Sequence, residues 1–440
     1  MPYSRGALPL RYDDADGWMR HGRVTGLSDC TLTVRMPSLI AGSLVSIARS
    51  NASPLLAQVR SIDEDEARCR PLGPVHGVAI GAQASSERAR LGCYVGSRLL
   101  GSSVDAWGRG AAQEAALVAA HDSSLAALSD RVQIRQRLTT GVAAIDAFAT
   151  MGYGQRIALF AGAGVGKSTL LRRIVDGAAV DARVVALIGE RAREAAEAVA
   201  SLSRSPQWAS TTLVCATADA PPAERLAAAL TSTAQAEHLA GSGKRVLLVM
   251  DSLTRVATAW RELALADGEP AAHRGHPPSL VGALARLVER AGAFRHGSLT
   301  AVYAVLVDGD DPYEPVTDAL RALLDGHITL CRRLADAGRY PAVDVLRSLS
   351  RIMPLVAADG HRRDAALVRR ALDTLEKYED LFAIGAYERG GDFWLDAAVQ
   401  ARPLIEALIF SDRAAIDSTG RLAEIAGVLR AAAGPNALDA

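Results

Sequence analysis

Between residues 154 and 175 the chain passes from an apolar run through a glycine-rich turn into a helix-forming stretch, and that order limits what it can fold into. Gly154-Gln155-Arg156-Ile157-Ala158-Leu159-Phe160 reads as a strand buried on both faces, because its apolar residues follow one another without alternation. Ala161-Gly162-Ala163-Gly164-Val165-Gly166-Lys167-Ser168-Thr169 comes next. Glycines at 162, 164 and 166 allow a tight turn whose N–H groups point inward, and the helix that follows adds the positive end of its dipole. Such a turn cradles phosphate oxygens. Gly162, Ala163, Gly164, Val165, Gly166, Lys167, Ser168 and Thr169 are the expected phosphate-binding residues, with Lys167 as the point charge for β- and γ-phosphates and the Ser168 hydroxyl as a Mg²⁺ ligand. ATP and Mg²⁺ are the expected ligands.

Apolar runs of the same kind recur at 183–189, 211–216, 245–251 and 298–307, with helical segments such as 223–240 and 278–294 between them. Alternation of that sort predicts an α/β core with a mostly parallel sheet. The run Arg245-Val246-Leu247-Leu248-Val249-Met250-Asp251 ends in a carboxylate at the sheet edge where a Mg²⁺ water shell can be held. Ile188-Gly189-Glu190-Arg191 ends another run. Glu190 can orient the water that attacks the γ-phosphate, or it can simply favour the N-terminus of the next helix, and the residues alone leave both open.

Residues 20–88 differ in kind. Segments such as Gly22-Arg23-Val24-Thr25-Gly26 alternate β-branched and polar residues between turn formers, which predicts a small β-barrel or sandwich. The stretch 110–129 reads as a connector, and beyond Met353 the chain reads as Ala/Leu/Arg-rich helices with Phe393 and Trp394 in their core and a loose tail from Gly434. We therefore expect three domains: a β domain over 1–90, a nucleotide-binding domain over 91–355 and a helical domain over 356–440.

Lys+Arg and Asp+Glu both number 49, so the formal net charge is +0, which argues against a chain dominated by nucleic-acid binding, leaves a local basic patch open, and leaves little charge to oppose self-association. The 5 cysteines are scattered and never in a CxxC pair, which suits a reducing cytoplasm. Neither a secretory signal nor an apolar run of the ~20 residues needed to span a bilayer is expected. His327 reads as a hydrogen-bonded core histidine rather than a ligand.

Several further segments carry a resemblance: Thr140-Gly141-Val142-Ala143-Ala144-Ile145-Asp146, Gly189-Glu190-Arg191, Asp251-Ser252-Leu253-Thr254-Arg255, Gly268-Glu269-Pro270, Gly275-His276-Pro277-Pro278-Ser279, Leu287-Val288-Glu289-Arg290-Ala291-Gly292, Gly309-Asp310-Asp311, Leu324-Asp325-Gly326-His327-Ile328 and Ser348-Leu349-Ser350-Arg351. Together they resemble the RecA-like catalytic core of the rotary-ATPase-like family, which includes ATP synthase catalytic subunits, the flagellar export ATPase and the ATPase of type III secretion systems. The segment Arg332-Arg333-Leu334-Ala335-Asp336-Ala337-Gly338-Arg339-Tyr340-Pro341-Ala342-Val343-Asp344 and the Ala161 that opens the loop resemble the export branch, and the following Val345-Leu346-Arg347-Ser348-Leu349-Ser350-Arg351-Ile352-Met353-Pro354 resembles its non-flagellar form more than its flagellar one.

This resemblance implies a homohexameric protein-secreting ATPase with sites shared between subunits. Glu190 would be the catalytic carboxylate, Lys167 and Arg191 would lie at the γ-phosphate, and Ser168 and Asp251 would serve Mg²⁺. Arg351 would be the arginine finger offered to the neighbouring subunit, although by itself it reads as a surface arginine. Tyr387 or another aromatic residue of that region would stack on adenine. Implied partners are stator or peripheral-stalk proteins, a central stalk, an export gate and chaperone–effector complexes, with cytoplasmic placement at the inner membrane through those partners and no nucleic acid. An ATP synthase-type subunit, a hexameric RNA translocase and a non-catalytic scaffold are the other readings. Ala192, Asp308, Val256, Trp260 and His276 depart from the usual residues of relatives, and Ala192 bears on how Glu190 is presented.

Overall fold

The computed structural model describes residues 10–12, 19–50, 52–87, 89–110, 117–120, 128–307, 315–411 and 417–433. Asp308, Gly309-Asp310-Asp311, the tail from Gly434 and much of the 110–129 connector lie outside the described residues. The chain divides into two compact units, one of residues 1–130, 181–291 and 296–299 and the other of 131–180, 292–295 and 300–440.

In the first unit, six antiparallel strands close into a barrel in the order His21–Leu27, Leu32–Arg35, Glu66–Pro71, Ala52–Asp63, Leu44–Arg49 and Gln83–Glu87. The alternation visible in the sequence turns Val24, Val34, Ile47, Ala57 and Val59 inward, where all are buried. The same unit holds strands Arg245–Asp251, Ala182–Glu190, Thr211–Thr217 and Ser102–Val104, paired in that order and all parallel. Val184 to Ile188 are buried without interruption, as a strand covered on both faces requires. Helix Pro222–Gly241 packs on these strands, and its buried Gln235 amide exchanges hydrogen bonds with the Gly96 backbone at 2.8 and 2.9 Å.

One clasp ties the barrel to its own unit. Asp267, which caps the C-terminus of helix Leu253–Ala266, accepts from Arg70 at 2.7 Å and from Arg60 at 3.4 Å, while its carbonyl accepts from Arg68 at 3.1 Å. Burial holds the Arg70 guanidinium down to about 10 even against its carboxylate partner.

In the second unit, strand Arg156–Ala161 lies between the parallel strands Ser298–Leu306 and Gly326–Leu330, and Val343–Ser350 joins antiparallel at the edge. Helices Asp359–Lys377, Phe393–Ile409 and Ser418–Ala433 pack together, burying Val368, Ala371, Ile405, Leu422 and Leu429. The expected architecture is therefore present: an α/β P-loop core, a small β-barrel and a helical C-terminal part. Three details differ. The expected helix over 278–294 ends at Val288 and gives way to a short strand at Gly292–Ala293. Trp394 is core, but Phe393 is 70% exposed. The Asp392 carboxylate caps the helix by accepting from the N–H groups of Trp394 and Leu395, which puts Phe393 on its outer, first position. Strands Ser102–Val104, Gly326–Leu330 and Val343–Ser350 carry no clear apolar run in the sequence.

All five cysteines are free thiols, and burial pushes Cys69 and Cys93 up to about 12. Among the described residues no helix is long and apolar enough to cross a membrane.

Candidate nucleotide site

The residues expected to form the site fall in both compact units, and each group is built locally. In the second unit, strand Arg156–Ala161 delivers the loop to helix Lys167–Gly177. Gly164 and Gly166 take positive φ of 77° and 88°, so these two of the three loop glycines carry the turn, and Gly166 is the residue that caps the helix. Lys167 is half-buried, whereas Ser168 and Thr169 are exposed at the first turn, where backbone N–H groups lack helical partners.

The far end of that helix is fixed by the Thr140–Asp146 segment. Gly141 sits so close to Gly177 that a Cβ on it would come within 2.7 Å of the Gly177 Cα. Buried Asp146 organises this turn, accepting from the Thr140 N–H and hydroxyl, both at 2.8 Å, and from the Gly141 N–H at 3.1 Å. Burial raises its carboxyl, and those hydrogen bonds oppose the rise.

The segment 332–344 lies against the loop. Arg332 donates to the Ala163 carbonyl at 3.2 Å, and the Tyr340 ring stands 3.1 Å from where a Gly166 Cβ would be. Tyr340 is 42% exposed. Tyr387, the aromatic singled out from the sequence, instead packs on Phe382 and donates its hydroxyl to Asp396 at 2.5 Å. Sequence reasoning missed Tyr340, although it stands in the quoted segment; only folding brings it to Gly166.

His327 pairs in the sheet beside Phe160, with ring centroids 5.5 Å apart, and bonds to the Arg347 backbone. Burial first, then the nearby Arg321 charge, holds its pKa below the usual histidine value. Arg351 directly follows the edge strand, which ends at Ser350: its side chain is exposed, its N–H donates to the Asp325 carbonyl at 2.9 Å and its guanidinium to the Arg321 carbonyl at 3.2 Å.

In the first unit, Glu190 is the last residue of strand Ala182–Glu190. Gly189, at φ 72°, makes a bulge: Ile188 pairs with Ala216 but Glu190 pairs with Thr217. The Ala218 N–H holds the Glu190 carbonyl at 2.9 Å, fixing the backbone from which the carboxylate projects. Ala192 begins helix Ala192–Leu202, and Arg191, its N-cap, is 81% exposed along its side chain with Glu194 at 3.6 Å. Asp251 is buried at the end of its strand, and the Ser252 side chain caps the next helix by accepting from the Arg255 N–H. The Trp260 indole N–H donates to the Ser279 hydroxyl at 2.9 Å, which in turn donates to Glu269 at 2.6 Å.

The second unit thus carries a strand–loop–helix phosphate cradle, and the first carries carboxylates at the ends of parallel strands; these are the two kinds of group that phosphoryl transfer by positioning and charge employs. Comparison with known proteins decides the class. The nucleotide-binding domain of the ATP synthase alpha/beta family matches residues 141–350, and the T3SS EscN ATPase C-terminal domain matches 357–414. The SPI-2 type 3 secretion system ATPase of Salmonella typhimurium is 41% identical, covering 90% of this chain and 92% of that one. The chain belongs to the type III secretion and flagellar ATPase family. The flagellum-specific ATP synthase of Treponema pallidum is 40% identical over 88% of each chain. The assembled ATPase EscN from the type III secretion system of enteropathogenic E. coli matches with a TM-score of 0.87 and 38% identity, over 92% of this chain and 100% of that one. As a member of this secretion ATPase family, the chain is a nucleotide-binding, ATP-hydrolysing enzyme of protein export.

Proposed function

We propose that the chain works as a homohexameric ring of a non-flagellar type III secretion system, with each ATP site completed by a neighbouring subunit. The observation that carries this reading is Arg351: an exposed guanidinium on a backbone anchored in the sheet, available to a second copy. An assembled form is known for the EscN relative, which supports the ring. In this reading residues 1–90 form the assembly and stator-contacting domain, 91–355 the nucleotide domain and 356–440 the helical domain that moves substrate.

Residues Gly162 to Thr169 hold the ATP phosphates, and Lys167 balances charge on the β- and γ-phosphates. Glu190 orients and polarises the attacking water, Arg191 lies near the γ-phosphate, and Arg351 of the next subunit stabilises the charge of the transition state, worth about 10³–10⁵ in rate. The donor set suits Mg²⁺, which keeps several waters and takes few protein ligands. Among the described residues no group of three or more His, Cys, Asp or Glu side chains could hold a metal by itself, so Ser168 would ligate it together with the phosphates while Asp251 orders its waters. When bound, Mg²⁺ neutralises charge developing on the phosphoryl oxygens. The Tyr340 ring, beside Gly166, offers a platform for the base.

Hydrolysis would drive detachment of chaperones from exported substrates and their delivery to an export gate. A complex of EscN with its central stalk EscO supports a stalk partner for this chain as well. The protein would act in the cytoplasm at the inner membrane face, held there by stator and stalk partners.

The test is titration and mixing. Specific activity should rise with protein concentration as rings assemble. Lys167→Ala and Arg351→Ala should each be inactive, yet mixing them should restore activity, since one variant supplies intact loops and the other intact fingers. Full activity of dilute monomers, or no recovery on mixing, overturns the shared site.

A further inference from the structure

The mechanism leaves unused a buried polar cluster at the foot of the phosphate-loop strand. Gln155 is fully buried immediately before strand Arg156–Ala161. Its side-chain oxygen accepts from the Gly152 N–H at 3.0 Å, which leaves its amide nitrogen to donate to the Ser350 hydroxyl at 2.9 Å and to the Asp325 carbonyl at 3.3 Å. Ser350 is also buried; its hydroxyl donates to the Thr150 carbonyl at 2.8 Å and accepts from the Met353 N–H at 3.2 Å. Asp325 completes the cluster. Its carboxylate receives the Arg156 backbone N–H at 3.0 Å and two guanidinium contacts at 3.2 Å each, while its carbonyl takes the Arg351 N–H at 2.9 Å.

Two routes therefore join the start of the loop strand to the same arginine. One runs from Arg156 through Asp325 to the Arg351 backbone, and the other from Gln155 through Ser350, its immediate neighbour. Beyond these, the Arg351 side chain is held by the Arg321 carbonyl, and Arg321 lies over the ring of Phe160 in the same strand, 5.1 Å from its centroid. Gln155 and Ser350 are buried and Arg156 and Asp325 are half-buried, and hydrogen-bond networks shielded in this way rigidify what they join.

We propose that Gln155 and Ser350 are positioning residues that set the backbone of Arg351 relative to the subunit's own phosphate loop. This rests on the reading of Arg351 as a finger and deepens it. The finger is offered to a neighbour, but its placement is set by the strand that leads into its own subunit's ATP loop. A displacement of about 1 Å in such a group costs on the order of 100-fold in rate without abolishing binding.

The test uses full-length Ser350→Ala and Gln155→Leu, with Arg351→Ala and Lys167→Ala as partners. Ser350→Ala removes one hydroxyl without adding bulk, so it guards against a simple failure to fold. Both variants should assemble and keep a KM for ATP within about twofold of wild type, while kcat falls by about 10- to 100-fold. In mixed rings each should regain activity with Lys167→Ala, which supplies sound fingers, and gain nothing with Arg351→Ala. The inference is overturned if kcat stays within twofold of wild type while Arg351→Ala alone is dead. It is equally overturned if rescue comes from Arg351→Ala and not from Lys167→Ala, because the defect would then lie in the loop. Should Arg351→Ala alone retain full activity, the shared-site reading falls and takes this inference with it, a result the single-variant control records separately.

Discussion

A Cβ at position 189 would stand 2.9 Å from both Cβ and Cγ of Arg255, which lies directly across from the Gly189 backbone. Together with φ of 72° at Gly189, this makes glycine the residue that fits, and the bulge it forms sets where Glu190 emerges.

Gly189→Ala should cost about 1–3 kcal/mol of stability through the left-handed backbone and the contact with Arg255. With Glu190 displaced, kcat should fall by about 100-fold while nucleotide affinity is spared. Denaturant unfolding and nucleotide titration measure the two effects separately. Wild-type stability would contradict the steric account.

Glu190→Gln keeps the size of the side chain and its bulged backbone but removes the charge that polarises water. It should bind ATP with near wild-type affinity and lose about 10²–10⁴ in turnover. If phosphate release continues at the wild-type rate, Glu190 serves only the helix that begins at Ala192.

Tyr340→Ala should raise KM for ATP about tenfold, in line with a loss of about 1–3 kcal/mol of base stacking, and leave kcat little changed. Tyr340→Phe keeps the ring and should behave as wild type. A fall in kcat with KM unchanged would instead place the ring's role in the loop itself.

His327 gives a pH signature. Burial, then Arg321, depresses its folded pKa below the unfolded value of 6.5, so between the two values the unfolded chain binds a proton that the fold rejects. Its contribution is complete above the unfolded pKa and is lost as pH falls through the folded one. The melting temperature should therefore drop between about pH 7 and 5 more steeply in wild type than in His327→Asn. Parallel profiles would show that His327 does not titrate in that window.

Legibility followed locality. The phosphate loop lies in one unbroken stretch of sequence, so strand, turn and helix could be read together. The barrel was legible because one face of each strand is wet, which leaves alternation in residues such as Val24 and Val34. Strand Val343–Ser350 was not, because Asp344, Arg347 and Ser348 do polar work that breaks the apolar run, and Gly326–Leu330 is only 5 residues long with His327 and Thr329 interrupting it. Glu190 stayed ambiguous because its placement depends on Arg255 meeting Gly189, a contact made only in the folded chain. Tyr340 and Phe393 show the same limit in opposite directions. One aromatic gained a position beside the loop through folding, and the other lost its expected place in the core to a helix cap.

The Asp267 clasp has a mechanical meaning. Helix Leu253–Ala266, of 14 residues, carries Asp267 and its barrel arginines at one end and Ser252, next to Asp251, at the other. It is one continuous helix about 20 Å long. On the proposed role of Asp251, anything that grips the barrel holds one end of a single helix whose other end adjoins the carboxylate that would order the Mg²⁺ waters.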